Sequence, residues 1–227
     1  MLERSVPPHS ADSGATRLTI GVMGAADGPM ADAAIASAHE LGRAIAASGC
    51  ILVNGACPGL PYHAARGAKE LGGLVVGISP ALSRDEHVER YGSPTEGLDM
   101  IVYTGSGLMG REVTNIRSSD MVVIVGGRSG TLGEFAIAYD EGKLIGVLEG
   151  TGGIVDELPR LVKAVHKLSG AHLIYDADPR RLIERMLTYY REQHCLHPSV
   201  HHRRHAAHET PLGATHHPIV GMPKLSQ

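Results

Sequence analysis

Cysteine is scarce in this chain, with three residues among 227. Cys50, Cys57 and Cys195 are odd in number, widely spaced and without a CxxC pair. That argues against a disulfide framework and a thiolate zinc site, and it suits a reducing compartment. Long apolar runs are also missing: none approaches the roughly 18 residues of a membrane span. The N-terminal segment MLERSVPPHSADSGATR has no apolar h-region. The expectation is a soluble, unexported, cytoplasmic protein that makes no membrane contact. Lys/Arg-rich stripes are lacking from the central region and the formal charge is only -3, so nucleic-acid binding through phosphate neutralisation is not expected.

What is present is ordinary globular material. Apolar residues make up 43% of the chain and charged residues 20%, enough for burial to outweigh chain entropy in one sizeable α/β domain. Residues 1–16 are rich in Pro, Ser and small polar side chains with no periodic apolar face, and read as a flexible extension. Residues 194–227 read as a flexible His-rich tail carrying histidines 194, 197, 201, 202, 205, 208, 216 and 217 without fixed ligand spacing, so no metal site is assigned there. The folded region is expected at 17–193.

Within it, short apolar runs alternate with helical patterns. LTIGVMG (18–24), ILVNG (51–55), LVVGIS (74–79), DMIVYT (99–104), MVVIVGG (121–127), LIGVLEG (144–150) and HLIYDA (172–177) scarcely alternate in polarity, as strands buried on both faces of a parallel sheet do. Between and after them lie helical stretches expected at 30–48, 61–71, 108–118, 131–141, 156–167 and 179–193. On the first, Ile35, Ala38, Leu41 and Ile45 recur at spacings of three and four. The pattern predicts a Rossmann-like, doubly wound α/β fold: a mainly parallel sheet of about seven strands with helices on both faces. Ligands in such folds bind beyond the carboxyl ends of the strands, so the residues following each strand carry the interest.

After the first strand comes GAADGP, where Gly24 permits a tight turn at the strand end. After the second, Gly55 and Gly59 flank a Cys-Pro turn that runs into a helix, leaving free amides and the positive end of a helix dipole for an anion. Cys57 stands there as a candidate thiolate beside the simpler reading of a turn residue. The fifth run leads into GGRSGTLGE, in which Gly126, Gly127 and Gly130 allow close backbone approach and Thr131 can cap a helix or bond a phosphate oxygen. Glu134 has two readings, a capping-box partner of Thr131 or a carboxylate facing the ligand, and the two are not exclusive. Upstream, Arg111, Asn115 and Arg117 share a short helix, with Arg111 and Arg117 too far apart in helical phase to do one job. The loop at 79–99 is long enough for a lid or an interface, with His87 and Tyr91 as candidate ligand contacts or plain loop residues.

With these residues set out, the region 17–190 resembles the LOG family, the lysine decarboxylase-like proteins that include cytokinin-activating phosphoribohydrolases. The family's PGGxGTxxE motif is matched by residues 126–134, and its catalytic glutamate by Glu134. Its catalytic arginine is matched by Arg111, nine positions before Asp120. The resemblance implies that residues 127–133, Arg128 and Ser129 among them, wrap a ligand phosphate, and that the protein is a homodimer with its site near the subunit interface. Three positions depart from the pattern: Gly126 replaces the proline, Arg128 the second glycine, and Glu112 the basic residue after the arginine. Several segments look like a less characterised nucleotide-binding branch, and the molybdenum-cofactor carrier proteins are relatives with the same plan.

Two functions are therefore expected. One is hydrolysis of the N-glycosidic bond of a nucleoside 5′-monophosphate to free base and ribose 5-phosphate, with Glu134 and Arg111 catalytic. The other is non-catalytic binding or carriage of a nucleotide or phosphate-bearing pterin. Either way the partner is a small phosphorylated, nucleoside-like molecule. No site for pyridoxal phosphate is recognisable, so neither a decarboxylase nor a resident cofactor is assigned.

Overall fold

Each of the seven apolar runs forms a strand in the computed structural model, which describes residues 16–194. The strands are β1 (Thr19–Gly24), β2 (Ile51–Asn54), β3 (Val75–Ser79), β4 (Met100–Tyr103), β5 (Met121–Val125), β6 (Leu144–Leu148) and β7 (His172–Asp176). The helices are α1 (Asp32–Ala47), α2 (Leu60–Glu70), α3 (Gly107–Arg117), α4 (Ser129–Asp140), α5 (Leu158–Val165) and α6 (Pro179–Tyr189). Apart from Thr16 and His194, the expected extension and the His-rich tail lie outside the described residues.

All seven strands are parallel, in the order β4-β3-β2-β1-β5-β6-β7. The runs do not alternate in polarity because both sheet faces are covered. Ile20, Val22, Met121, Val123 and Val125 pack with α1, α2 and α6 on one side. Met23, Val122, Ile124, Ile145 and Val147 pack with α3, α4 and α5 on the other. Burying such a side chain contributes about 1.5–3 kcal/mol, so register errors that expose one face are strongly disfavoured. At the amino edge, Asp120 accepts from the Thr19 amide at 2.8 Å and its own amide donates to Thr19 Oγ1 at 2.9 Å, which pins β1 beside β5.

That pairing positions the site. From β1 the chain winds outward through β2, β3 and β4, then crosses back to place β5 on the free side of β1. The loops leaving β1 and β5 therefore diverge to opposite faces and open a crevice at their carboxyl ends.

Helix boundaries depart from the sequence expectation where proline or backbone geometry intervenes. The stretch expected as one helix at 156–167 is a 3-10 turn, Gly153–Glu157, followed by α5. Pro159 explains the division, since its missing N–H is tolerated in the first turn of a helix but not inside one. His166, in left-handed conformation at φ 48°, ends α5. The final helix gives way at Tyr190 to a π-type turn through His194. Among the described residues no helix is long and apolar enough to cross a membrane.

Candidate functional site

The turn from β5 into α4 is held from behind. Gly126 donates its amide to Thr151 Oγ1 at 2.9 Å, and the Gly127 carbonyl accepts from the Ile154 amide at 2.9 Å. Gly127 has φ +100°, and a methyl group there would overlap the Thr131 side chain, so only glycine fits. The chain bends sharply enough for α4 to begin at Ser129, with Arg128 as its N-cap and no side-chain cap bond. The amides of Ser129, Gly130 and Thr131 consequently lack intrahelical partners and concentrate positive dipole at the crevice.

This early start removes the capping-box reading of Glu134. Thr131 is the third residue of α4 and Glu134 the sixth, too far along to reach back to the N-cap. Glu134 is instead buried at 6% exposure and faces α3, where Arg111 Nη1 stands 3.6 Å from Glu134 Oε1. The separation makes this an ion pair without a hydrogen bond. Arg111 reaches that position over Gly55, where any β-carbon would collide with its guanidinium. The Gly55 turn is itself clasped by Asn54, whose side chain donates to the Pro61 carbonyl at 3.2 Å and accepts from the Ala56 amide at 2.9 Å.

Burial dominates the electrostatics. It pushes the Glu134 carboxyl up to about 7, Arg111 pulling the other way and Glu112 adding to the rise. Burial also raises Glu112, against the pull of Arg111. The Cys57 thiol is pushed up to about 11 by desolvation, with Arg111 pulling the other way and Glu134 adding to the rise, so a reactive thiolate is not what this environment favours.

These groups surround a cleft of about 320 Å³, within the size range of small-molecule sites. Of the sequence candidates, Gly24, Gly55, Arg111 and Glu134 line it, as do Arg128, Ser129, Gly130 and Thr131. Gly59, Gly126 and Gly127 shape the loops behind the lining, and Asn115 is fully buried with its amide against the Met23 sulfur at 3.0 Å. At the mouth Arg128 forms an exposed ion pair with Asp27, joining the β1 and β5 loops. A larger cavity of about 500 Å³ lies between α1 and α6 and gathers none of these groups.

Three other candidates are not brought to the cleft. His87 is fully buried, with Nε2 3.1 Å from the Pro94 carbonyl and Nδ1 2.8 Å from the Ser79 hydroxyl, and so ties together the 79–99 loop. That is neither a ligand contact nor an exposed loop position. Tyr91 lies in the same loop beneath the Arg90 guanidinium. Arg117 is exposed and paired with Glu141 at 2.8 Å. Conversely, the sequence reading passed over Asp27 and Leu108 and treated Glu112 only as a departure from a motif. Glu112 carried a signal nonetheless, standing one helical turn before the buried Ile116 on the core side of α3.

Fold and site together define a Rossmann-like α/β protein with a helix-terminus cleft at the β1/β5 switch point and a buried Arg–Glu pair in its wall. The chain belongs to the SLOG cluster4 family, whose model matches residues 17–183. It is 36% identical over 132 residues to an uncharacterized protein of Archaeoglobus fulgidus, an alignment spanning 58% of this chain and 80% of that one. Among solved structures it is similar to the protein TM1055, with a TM-score of 0.65, 26% identity and coverage of 75% of this chain and 99% of that one. It is similar also to the molybdenum cofactor carrier protein of Chlamydomonas reinhardtii, with a TM-score of 0.62, 29% identity and coverage of 78% and 100%. The family and these neighbours fit a LOG-like branch related to molybdenum cofactor carrier proteins.

Proposed function

We propose that this protein binds a nucleoside 5′-monophosphate at the β1/β5 cleft and hydrolyses its N-glycosidic bond. The observation that carries the proposal is the buried Glu134, raised to about 7 and paired with Arg111 beside the open amide end of α4. The amides of residues 129–131 take the 5′-phosphate, leaving the sugar against α3. A carboxyl near 7 is poised to accept a proton at neutral pH. Water attacks C1′ as the C1′–N bond breaks, the bonding pair leaves with the base, and the proton of the water passes to Glu134. Arg111 steadies the Glu134 carboxylate and the negative charge of the ligand.

The test is release of base and ribose 5-phosphate from a panel of nucleoside monophosphates by the parent protein and by Glu134→Gln. Turnover by the parent alone is expected. Binding by both proteins without turnover by either overturns the hydrolase reading and leaves the second one: carriage of a phosphorylated nucleotide or pterin. That alternative draws on the similarity to a molybdenum cofactor carrier and on Arg128 and Glu112 in the wall. In either role the ligand is a small molecule and the protein works in the cytoplasm with Cys50 and Cys57 as free thiols. It acts as a homodimer, a reading supported by the exposed Leu82, Leu108 and Met109 on the loop before β4 and the first turn of α3. Sedimentation velocity showing a monomer at micromolar concentration would contradict the dimer.

A further inference from the structure

Among the described residues, three buried side-chain polar atoms have no hydrogen-bond partner: Arg111 Nε, Glu112 Oε2 and Asn115 Oδ1, all on α3. Buried polar atoms are normally paired, and a carboxylate oxygen is among the costliest to leave without a donor. Asn115 is closed off against Met23. Glu112 differs, because it lines the cleft while only 6% exposed. Its two carboxylate oxygens lie over the start of α4, 3.7 Å and 3.3 Å from where β-carbons on Gly130 and Gly133 would stand. The nearby guanidinium of Arg111 is directed at Glu134.

A carboxylate at that place repels a phosphate, so its donors must come from a neutral part of the same ligand. With the phosphate on the first turn of α4, the group next along a nucleotide is the pentose, and the base lies farther out. A pentose hydroxyl offers an O–H donor to the carboxylate oxygen that is not sealed against Gly133. Resting on the phosphate-site reading above, we infer that Glu112 accepts a hydrogen bond from a pentose hydroxyl of the ligand and so makes the site select ribose over 2-deoxyribose phosphates.

The experiment is calorimetric titration of the full chain and of Glu112→Gln with inorganic phosphate, ribose 5-phosphate and 2-deoxyribose 5-phosphate. The parent is expected to bind ribose 5-phosphate about tenfold more tightly than the deoxy sugar, the size of one charge-assisted hydrogen bond. In Glu112→Gln the preference should fall to about threefold or less, with inorganic phosphate bound at least as tightly as by the parent, which also reports that the variant is folded. Equal binding of the two sugars by the parent overturns the inference, whatever the variant does. An undiminished preference in the variant overturns it as well. Failure of both proteins to bind any of the three probes removes the phosphate-site reading itself, a result distinct from phosphate binding without sugar discrimination.

Discussion

Replacing Glu134 with Gln should change how stability depends on pH, by an amount that follows from its burial. The carboxyl is raised from its ordinary 4.5 to about 7 in the folded protein. At about 1.4 kcal/mol per pH unit, the folded state holds that proton about 3 kcal/mol more tightly than the unfolded chain does. Below pH 4.5 the group is protonated in both states and contributes nothing. Between 4.5 and 7 the unfolded chain ionises while the folded protein does not, so the stability of the parent falls as pH rises. Above about 7 both states are ionised and the full loss has accumulated. Gln cannot ionise, so subtracting the variant's stability from the parent's isolates this residue from the titrating histidines common to both. The difference should decline by about 3 kcal/mol across this window, whatever offset arises from leaving Arg111 without its counter-charge. Urea unfolding followed by circular dichroism at half-unit pH steps from about 4.5 to about 8 measures it. A flat difference, or one that grows with pH, refutes the claim that desolvation outweighs the Arg111 charge at Glu134.

Gly55→Ala should displace Arg111, because the new methyl falls on the mobile end of a side chain and not on backbone. Phosphate and sugar-phosphate binding is expected to weaken about tenfold while the thermal midpoint moves by less than about 4 °C, as calorimetry and thermal melts would show. Asp178 caps α6 by accepting from the Arg180 and Arg181 amides, so Asp178→Ala should cost about 1 kcal/mol in urea unfolding. His166 is exposed and left-handed at the end of α5. His166→Gly should raise stability by about 0.5–1 kcal/mol in the same assay, and a loss would mean that His166 makes a contact worth more than its backbone strain.

The strands were legible before any coordinates because doubly covered strands must be apolar on both faces, a property written into consecutive residues such as those of 121–125. The glycines after β2 and β5 were legible for a similar reason, since a turn at a strand end is a local demand. The start of α4 was less so. Thr131 looks like a cap from its neighbours alone, and only the contacts of Gly126 and Gly127 with residues 151–154 wind the helix from Ser129. His87 looked like a loop residue because nothing nearby in sequence announces the Ser79 and Pro94 partners that bury it.

The sequence by itself determined the class of fold, the number of strands and the places where backbone amides gather, since each depends on patterns a few residues long. Tertiary structure alone decided that β1 lies between β2 and β5. That order brings Gly55, Arg111 and Glu134 to one point, leaves Glu112 Oε2 without a hydrogen-bond partner and lifts the Glu134 carboxyl toward neutrality. Exclusion of water is the physical reason, because desolvation is imposed by elements distant in the chain and no stretch of sequence carries it alone.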